Sequence, residues 1–206
     1  MKQKIFIISI PMQPEENLKL LRYRYRDGAL SSPTRFPGVA LLEKYAVGKA
    51  PVKVVTVRTD DDNGYTERCY GLFHEELCQL AERFGVRLKI DAEIIVPHEE
   101  SVEKECVLLK ELFACFDRGS EIYMDLTYGT KLTAIELFSS LYYAEIVEKC
   151  GVQAVVYGKY AFNGSTEGEL FDATRLYHTV RFLDAAAHMD RNSFVDLIGQ
   201  TLAPEE

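Results

Sequence analysis

The seven residues Asp125-Leu126-Thr127-Tyr128-Gly129-Thr130-Lys131 hold the densest concentration of usable chemistry in the chain. They close a short apolar run, Glu121 to Leu126, and open a long segment of helical periodicity, Leu132 to Lys149. Backbone amides at such a strand-to-helix corner face an anion at the helix N-terminus. Thr127 and Thr130 add hydroxyl donors, Gly129 permits a tight turn or a close backbone approach, and Lys131 supplies a mobile cation. A phosphate group fits this set. Lys131 in the first helical turn also opposes the helix dipole by roughly 0.3–1 kcal/mol, and an anionic ligand removes that opposition. A plainer reading stands beside it: Thr130 as N-cap, Thr133 with Glu136 as a capping box, and Lys131 in solvent. Asp125 reads either as an acceptor for amides of the following turn or as a catalytic base whose partner the sequence does not name.

Two other stretches belong to the same argument. Ser9-Ile10-Pro11-Met12 ends the first apolar run, Lys4 to Ile10. Arg22, Arg24 and Arg26 then alternate with Tyr23 and Tyr25, and Arg35 follows beyond Gly28, Ser31, Ser32 and Pro33. Cations interleaved with aromatics suit phosphates and bases; the alternative is a solvated loop whose tyrosines cover the core edge. Charge is unevenly placed along the chain. The net value of −8 argues against duplex nucleic acid, yet residues 1–58 hold 11 Lys or Arg against 4 Asp or Glu.

Other chemistries fall away. No glycine precedes Gly129 at Walker A spacing and no Ser or Thr follows Lys131, the G-x-G-x-x-G fingerprint is missing after the first strand, and no serine elbow occurs. Cys69, Cys78, Cys106, Cys115 and Cys150 read as buried free thiols in helical segments, and His74, His98, His178 and His188 are scattered, so neither a metal nor a cofactor is expected. No apolar stretch approaches the ~20 residues of a membrane span and no cleavable leader is visible, which predicts a soluble, cytoplasmic chain.

The elements that must position these residues alternate. Strands are expected at Lys4 to Ile10, Val52 to Thr59, Leu88 to Val96, Glu121 to Leu126 and Gln153 to Phe162. Helices are expected at Val39 to Val47, Tyr65 to Phe84, Glu99 to Phe116 and Leu132 to Lys149. Asn163-Gly164 and Glu169 to Asp172 read as a turn and a returning edge strand. With 206 residues and 47 % apolar content, this order predicts an α/β domain: a Rossmann-like, mostly parallel sheet with helices on both faces. Residues 1–172 form the expected domain and 173–206 a helical extension, either a docked helix pair broken near Asp190 to Asn192 or a linker to a further domain. In the long helix, Leu132, Ile135, Phe138, Tyr142 and Ile146 are expected on the sheet, with Leu137, Leu141, Tyr143 and Ala144 toward a second face. That second face is open to two coverings, the C-terminal helices or the same helix of a second copy.

The strand Ile122-Tyr123-Met124, the turn Asp125 to Lys131, its long helix and the later Val155-Val156-Tyr157-Gly158 resemble the CRISPR-associated Rossmann-fold (CARF) family, in its branch marked by D-x-T-H-G. Tyr128 stands where that branch has His, and Thr130-Lys131 is closer to the G-T-K form of related sensors. The resemblance implies a homodimer that binds cyclic oligoadenylate, the second messenger of type III CRISPR antiviral defence, and regulates an effector. Carried over, Thr127, Tyr128, Gly129, Thr130 and Lys131 form one wall of the ligand site and Ser9, Ile10, Pro11 and Met12 the other, with Arg24 and Arg35 in a covering segment. Two alternatives stay open. One is a metal-independent ring nuclease that aligns each ribose 2′-hydroxyl on its neighbouring phosphate, with Lys131 stabilising charge and Ser9 positioning the scissile group. The other is a nucleotide-responsive transcription regulator, disfavoured by Asp184, Asp190 and Asp196 in the last helices.

Overall fold

Ile5, Phe6, Ile7 and Ile8 are all buried, so the first strand is covered on both faces, as its unbroken apolar run requires. In the computed structural model, residues 2–48, 50–99, 101–160, 165–187, 192, 193 and 195 are described. Strands are β1 (Lys4–Ser9), β2 (Leu21–Arg24), β3 (Leu30–Thr34), β4 (Val52–Asp60), β5 (Leu88–Pro97), β6 (Glu121–Asp125), β7 (Gly151–Tyr160) and β8 (Glu167–Asp172). Helices are α1 (Pro37–Tyr45), α2 (Tyr65–Phe84), α3 (Val102–Cys115), α4 (Lys131–Ile146) and α5 (Thr174–Ala186).

The eight strands form one mixed sheet in the order β3-β2-β8-β7-β6-β1-β4-β5. Its centre, β7-β6-β1-β4-β5, is parallel throughout. β1 is the hinge of the winding: the chain proceeds from it through β4 to β5 on one side, then returns to β6 and β7 on the other. This is the Rossmann order, and the crevice between β1 and β6 lies at its switch point.

Strand alternation sorts the core into two layers. Phe6, Ile8, Val54, Tyr123 and Val156 cluster with Leu41 and Leu42 of α1 and Phe73 and Leu77 of α2. Phe6 stacks on Tyr123 at a centroid distance of 4.6 Å. Ile5, Ile7, Val55, Met124 and Val155 point the opposite way and are equally buried. On that face α3 and α4 pack on each other and reach β5 and β7, with Leu108, Leu112, Leu137 and Leu141 fully enclosed. Each such side chain contributes about 1.5–3 kcal/mol of burial.

Five expectations are corrected. β8 returns antiparallel on β7 but is no edge, because β2 pairs with its other side. The arginine-tyrosine segment is not a loop but a β-hairpin. Leu21 and Tyr23 enter the core while Arg22 and Arg24 face out, so the alternation is the period of a half-buried strand. Its turn uses Gly28 at φ +85°, and β2 pairs with β8 while Pro33 sits in the edge strand β3, which tolerates a missing donor. In α4 the two faces are exchanged: Leu137, Leu141 and Ala144 are fully buried, whereas Ile135, Tyr142 and Ile146 are exposed. The helix is apolar all round, so periodicity could not choose its inner face. Thr130 is the N-cap, but its partner is the Thr133 amide at 3.1 Å; Glu136 lies a turn further on and is buried. Of the five cysteines, Cys78 and Cys106 are exposed, and Cys150 lies between α4 and β7 rather than in a helix.

The chain divides into two compact units, residues 1–173 and 174–206. The second contains α5. The expected Asn163-Gly164 turn, and His188 to Arg191 with Phe194, Leu197 and Ile198, lie outside the described residues. Among the described residues no helix is long and apolar enough to cross a membrane, and no group of three His, Cys, Asp or Glu could hold a metal ion.

Candidate functional site

Asp125, the last residue of β6, is fully buried beside β1 and organises the turn that follows. Its Oδ1 accepts hydrogen bonds from the Thr127 amide, at 2.9 Å, and from the Thr127 hydroxyl. Thr127 Oγ1 in turn accepts the Gly158 amide of β7 at 2.9 Å. The other carboxylate oxygen, Oδ2, has no hydrogen bond of normal geometry, although the Gly38 amide in the first turn of α1 lies close enough to favour its charge. Burial pushes the Asp125 carboxyl up to about 6, against the lowering effect of the Thr127 hydroxyl and of the Thr127 and Gly38 amides. Asp125 therefore acts as an acceptor for the turn, the structural role open to it in the sequence.

Close packing explains two glycines here. A Cβ on Gly38 would stand 2.5 Å from Ile8 Cγ2 and 3.1 Å from Asp125 Oδ2, and one on Gly158 only 2.3 Å from Pro37 Cγ. The start of α1 is thus wedged against β1, β6 and β7, closing that side of the crevice. Neither Pro37 nor Gly38 stands out in the sequence as part of the site, and Gly158 enters it only as the end of the Val155–Gly158 run, because the contacts that need them join distant segments.

Ser9 ends β1 with its hydroxyl already engaged. Its Oγ donates to the Asp125 carbonyl at 3.3 Å and accepts the Tyr128 amide at 3.1 Å. The side chain is 1 % exposed. Ser9 consequently joins the ends of β1 and β6 across the switch point. Ile10 and Pro11 are buried, and Ile10 continues the ladder by donating to Val57 O at 2.8 Å. Met12 turns toward β5, where its Sδ lies 3.2 Å from His98 Nδ1. Of the expected β1 wall, Ser9 is the residue that hydrogen-bonds to the end of β6 and its turn among the described residues.

Tyr128 also points inward. Its ring packs against the core, its hydroxyl donates to Arg35 O at 3.4 Å, and burial holds the phenol far above its ordinary range. It ties the turn to the strand-helix junction before α1. Beyond it the character changes. Gly129 takes φ +99°, a left-handed conformation that favours glycine, and is exposed. Thr130 caps α4. Lys131, the first residue of the helix, is exposed and has no hydrogen bond or ion pair among the described residues. The amides of Gly129, Thr130, Lys131 and Leu132 likewise donate to no group among the described residues. They form the unsatisfied N-terminal set of a sixteen-residue helix.

The guanidinium groups of the expected covering cations are engaged with carboxylates. Arg24 lies on β2, separated from β6 by β8 and β7, and pairs with Glu167. Arg35 pairs with Glu76 at 2.9 Å, and Glu76 also accepts the Arg35 amide and the Thr34 hydroxyl. Arg26 meets Asp172, Lys44 meets Asp27, Lys53 meets Asp91 and Asp117, and Arg58 meets Glu67 and Glu93. Six of the early cations are therefore held in ion pairs, several with acids from later in the chain. A cleft of about 660 Å³ does open at the amino edge of the sheet, lined by Lys53, Arg87, Lys89 and Asp91. It lies at the opposite end from the switch point, and its most buried cation, Lys53, is already neutralised by two carboxylates.

These features define a Rossmann-like domain whose switch-point turn leaves the first amides of α4 and the Lys131 side chain unengaged among the described residues. No protein-family profile matches the sequence, and no curated protein is similar to it.

Proposed function

We propose that the chain is a cyclic-oligoadenylate-binding sensor domain of type III CRISPR antiviral signalling, acting as a homodimer that regulates an effector. One observation carries the reading: the Gly129–Leu132 stretch presents four amides and a lysine, all unengaged among the described residues, at the switch point of the sheet. Amide dipoles and a mobile cation without a carboxylate partner favour the phosphates of a compact polyanion. The resemblance of Asp125 to Lys131 and its setting to the CARF pattern supplies the ring of adenylates. Tyr128, half-buried with its ring against the core, stands in the place of His and in this reading serves the scaffold.

Ile135, Tyr142 and Ile146 continue from Lys131 along one exposed stripe of α4. Pairing of that stripe with its two-fold copy would bury apolar surface and set two of these anion cradles side by side. Ring cleavage is the competing activity at the same site. Because the Ser9 hydroxyl both donates and accepts within the protein, the cleavage reading rests on Lys131 without it.

Calorimetry with cyclic tetra- and hexa-adenylate in EDTA tests the proposal, followed by analysis of the recovered ligand. Binding with return of intact ring supports the sensor, and linear fragments support the nuclease. Binding of both rings by Lys131→Ala as tightly as by the native chain refutes the site.

A further inference from the structure

At the carboxyl end of β7 the sheet bears two large aromatic rings that the core does not use. Tyr157 is 45 % exposed and Phe171 41 %, and they stand directly opposite each other on the antiparallel pair β7–β8. Val156 and Leu170, their chain neighbours, belong to the cluster beneath α1, so alternation sends both rings to the α4 side. Opposed side chains on one sheet face lie about 5 Å apart at Cβ, near enough for one planar ligand to touch both. Two residues further along β7, Lys159 Nζ stands 4.0 Å from the Phe171 ring centroid. In register beyond it come Glu169 and then Arg24, giving a row of alternating charge.

This face is continuous with the anion cradle. Leu126 N–H donates to Val156 O at 2.9 Å and Gly158 N–H donates to Thr127 Oγ1 at 2.9 Å. Tyr157 sits between those two bonds, one strand spacing of about 5 Å from the turn that leads to Lys131. Phosphates held by the cradle would therefore carry their bases onto the rings.

We infer that the Tyr157–Phe171 pair is a stacking platform for nucleobases of a single-stranded oligonucleotide, with Lys159 at its margin. The inference deepens the sensor reading and rests on it for the phosphate end of the ligand. Aromatic faces beside cations suit bases, whose stacking is tolerant of sequence and strong enough to register on removal of one ring.

The test uses short cyclic and linear oligoadenylates with one adenine replaced by the fluorescent base 2-aminopurine, and inorganic tripolyphosphate as a base-free competitor. The native chain should bind at least one oligoadenylate and quench it. Tyr157→Ala should weaken binding about 5- to 150-fold and abolish the quench, while Tyr157→Phe keeps both within about two-fold. Tripolyphosphate binding should be unchanged by Tyr157→Ala and weakened by Lys131→Ala. Thermal melting verifies that each variant is folded, and Phe171→Ala, with a smaller loss and a reduced quench, gives a second reading of the platform. Retention of affinity and quench by Tyr157→Ala overturns the platform, and the cradle survives if Lys131→Ala still weakens binding. Loss with Tyr157→Ala but not with Lys131→Ala upholds the platform and overturns the cradle. Failure of the native chain to bind either oligonucleotide overturns both.

Discussion

In the β2–β3 hairpin and the segment after it, Arg24 meets Glu167, Arg26 meets Asp172 and Arg35 meets Glu76; in the turn after β6, Lys131 stands exposed with no carboxylate partner among the described residues. The hairpin has many cations and each is engaged. The turn has one and it is available. Local charge density along a chain therefore says little about where an anion will bind. What matters is which cations the folded carboxylates leave unsatisfied, together with the amides that no carbonyl accepts.

The contrast can be tested by substitution, beginning with the residue that anchors the turn. Asp125 has its carboxyl raised to about 6 by burial, so the folded chain holds that proton more tightly than the unfolded chain does. Stability from this group is greatest below the ordinary carboxylate range and falls as pH rises toward the folded value. Ionisation at neutral pH then costs about 3 kcal/mol. Denaturant midpoints at pH 4.5 and 7.5 should show Asp125→Asn gaining on the native chain at the higher pH. An equal difference at both values would show that burial leaves the group unperturbed.

Lys131→Ala should cost about 10- to 100-fold in affinity for cyclic oligoadenylate while its melting temperature stays within about 1 °C, because the exposed side chain makes no hydrogen bond or ion pair among the described residues. Arg35→Ala should do the reverse. It leaves Glu76, 11 % exposed on its side chain, with fewer donors, and should destabilise by about 1–2 kcal/mol in urea with affinity unchanged. The smallest effect belongs to Arg24→Ala, a half-exposed pair, at no more than about 1 kcal/mol by chemical denaturation. An affinity loss for Arg24→Ala as large as that for Lys131→Ala would erase the distinction between hairpin and turn.

The alternation of strands and helices was legible because buried parallel strands and amphipathic helices have different periods; α2 has the expected limits, Tyr65 and Phe84. The hairpin was hidden because Arg22 and Arg24, read as chemistry, were the outward residues of a strand. α4 was placed correctly but oriented wrongly, since apolar residues surround it. At the site, Thr130 as cap and Lys131 in solvent follow from local sequence, as does Asp125 receiving amides of its own turn. The inward Tyr128, the engaged Ser9 and the glycines at 38 and 158 depend on segments that meet only after folding, and sequence spacing does not encode those meetings.

The hairpin also imposes an order on assembly. β2 leaves the ribosome early, yet the strand against which it lies, β8, is made near the end of the domain, with Arg22 in register with Glu167. Throughout translation of everything between, one edge of the hairpin has no native partner. Pairing over such a separation is slow, and an open strand edge is a route to misassociation. Fragments that stop after β7 should accordingly leave the early arginines and tyrosines unprotected from hydrogen exchange, even where the parallel centre has already formed.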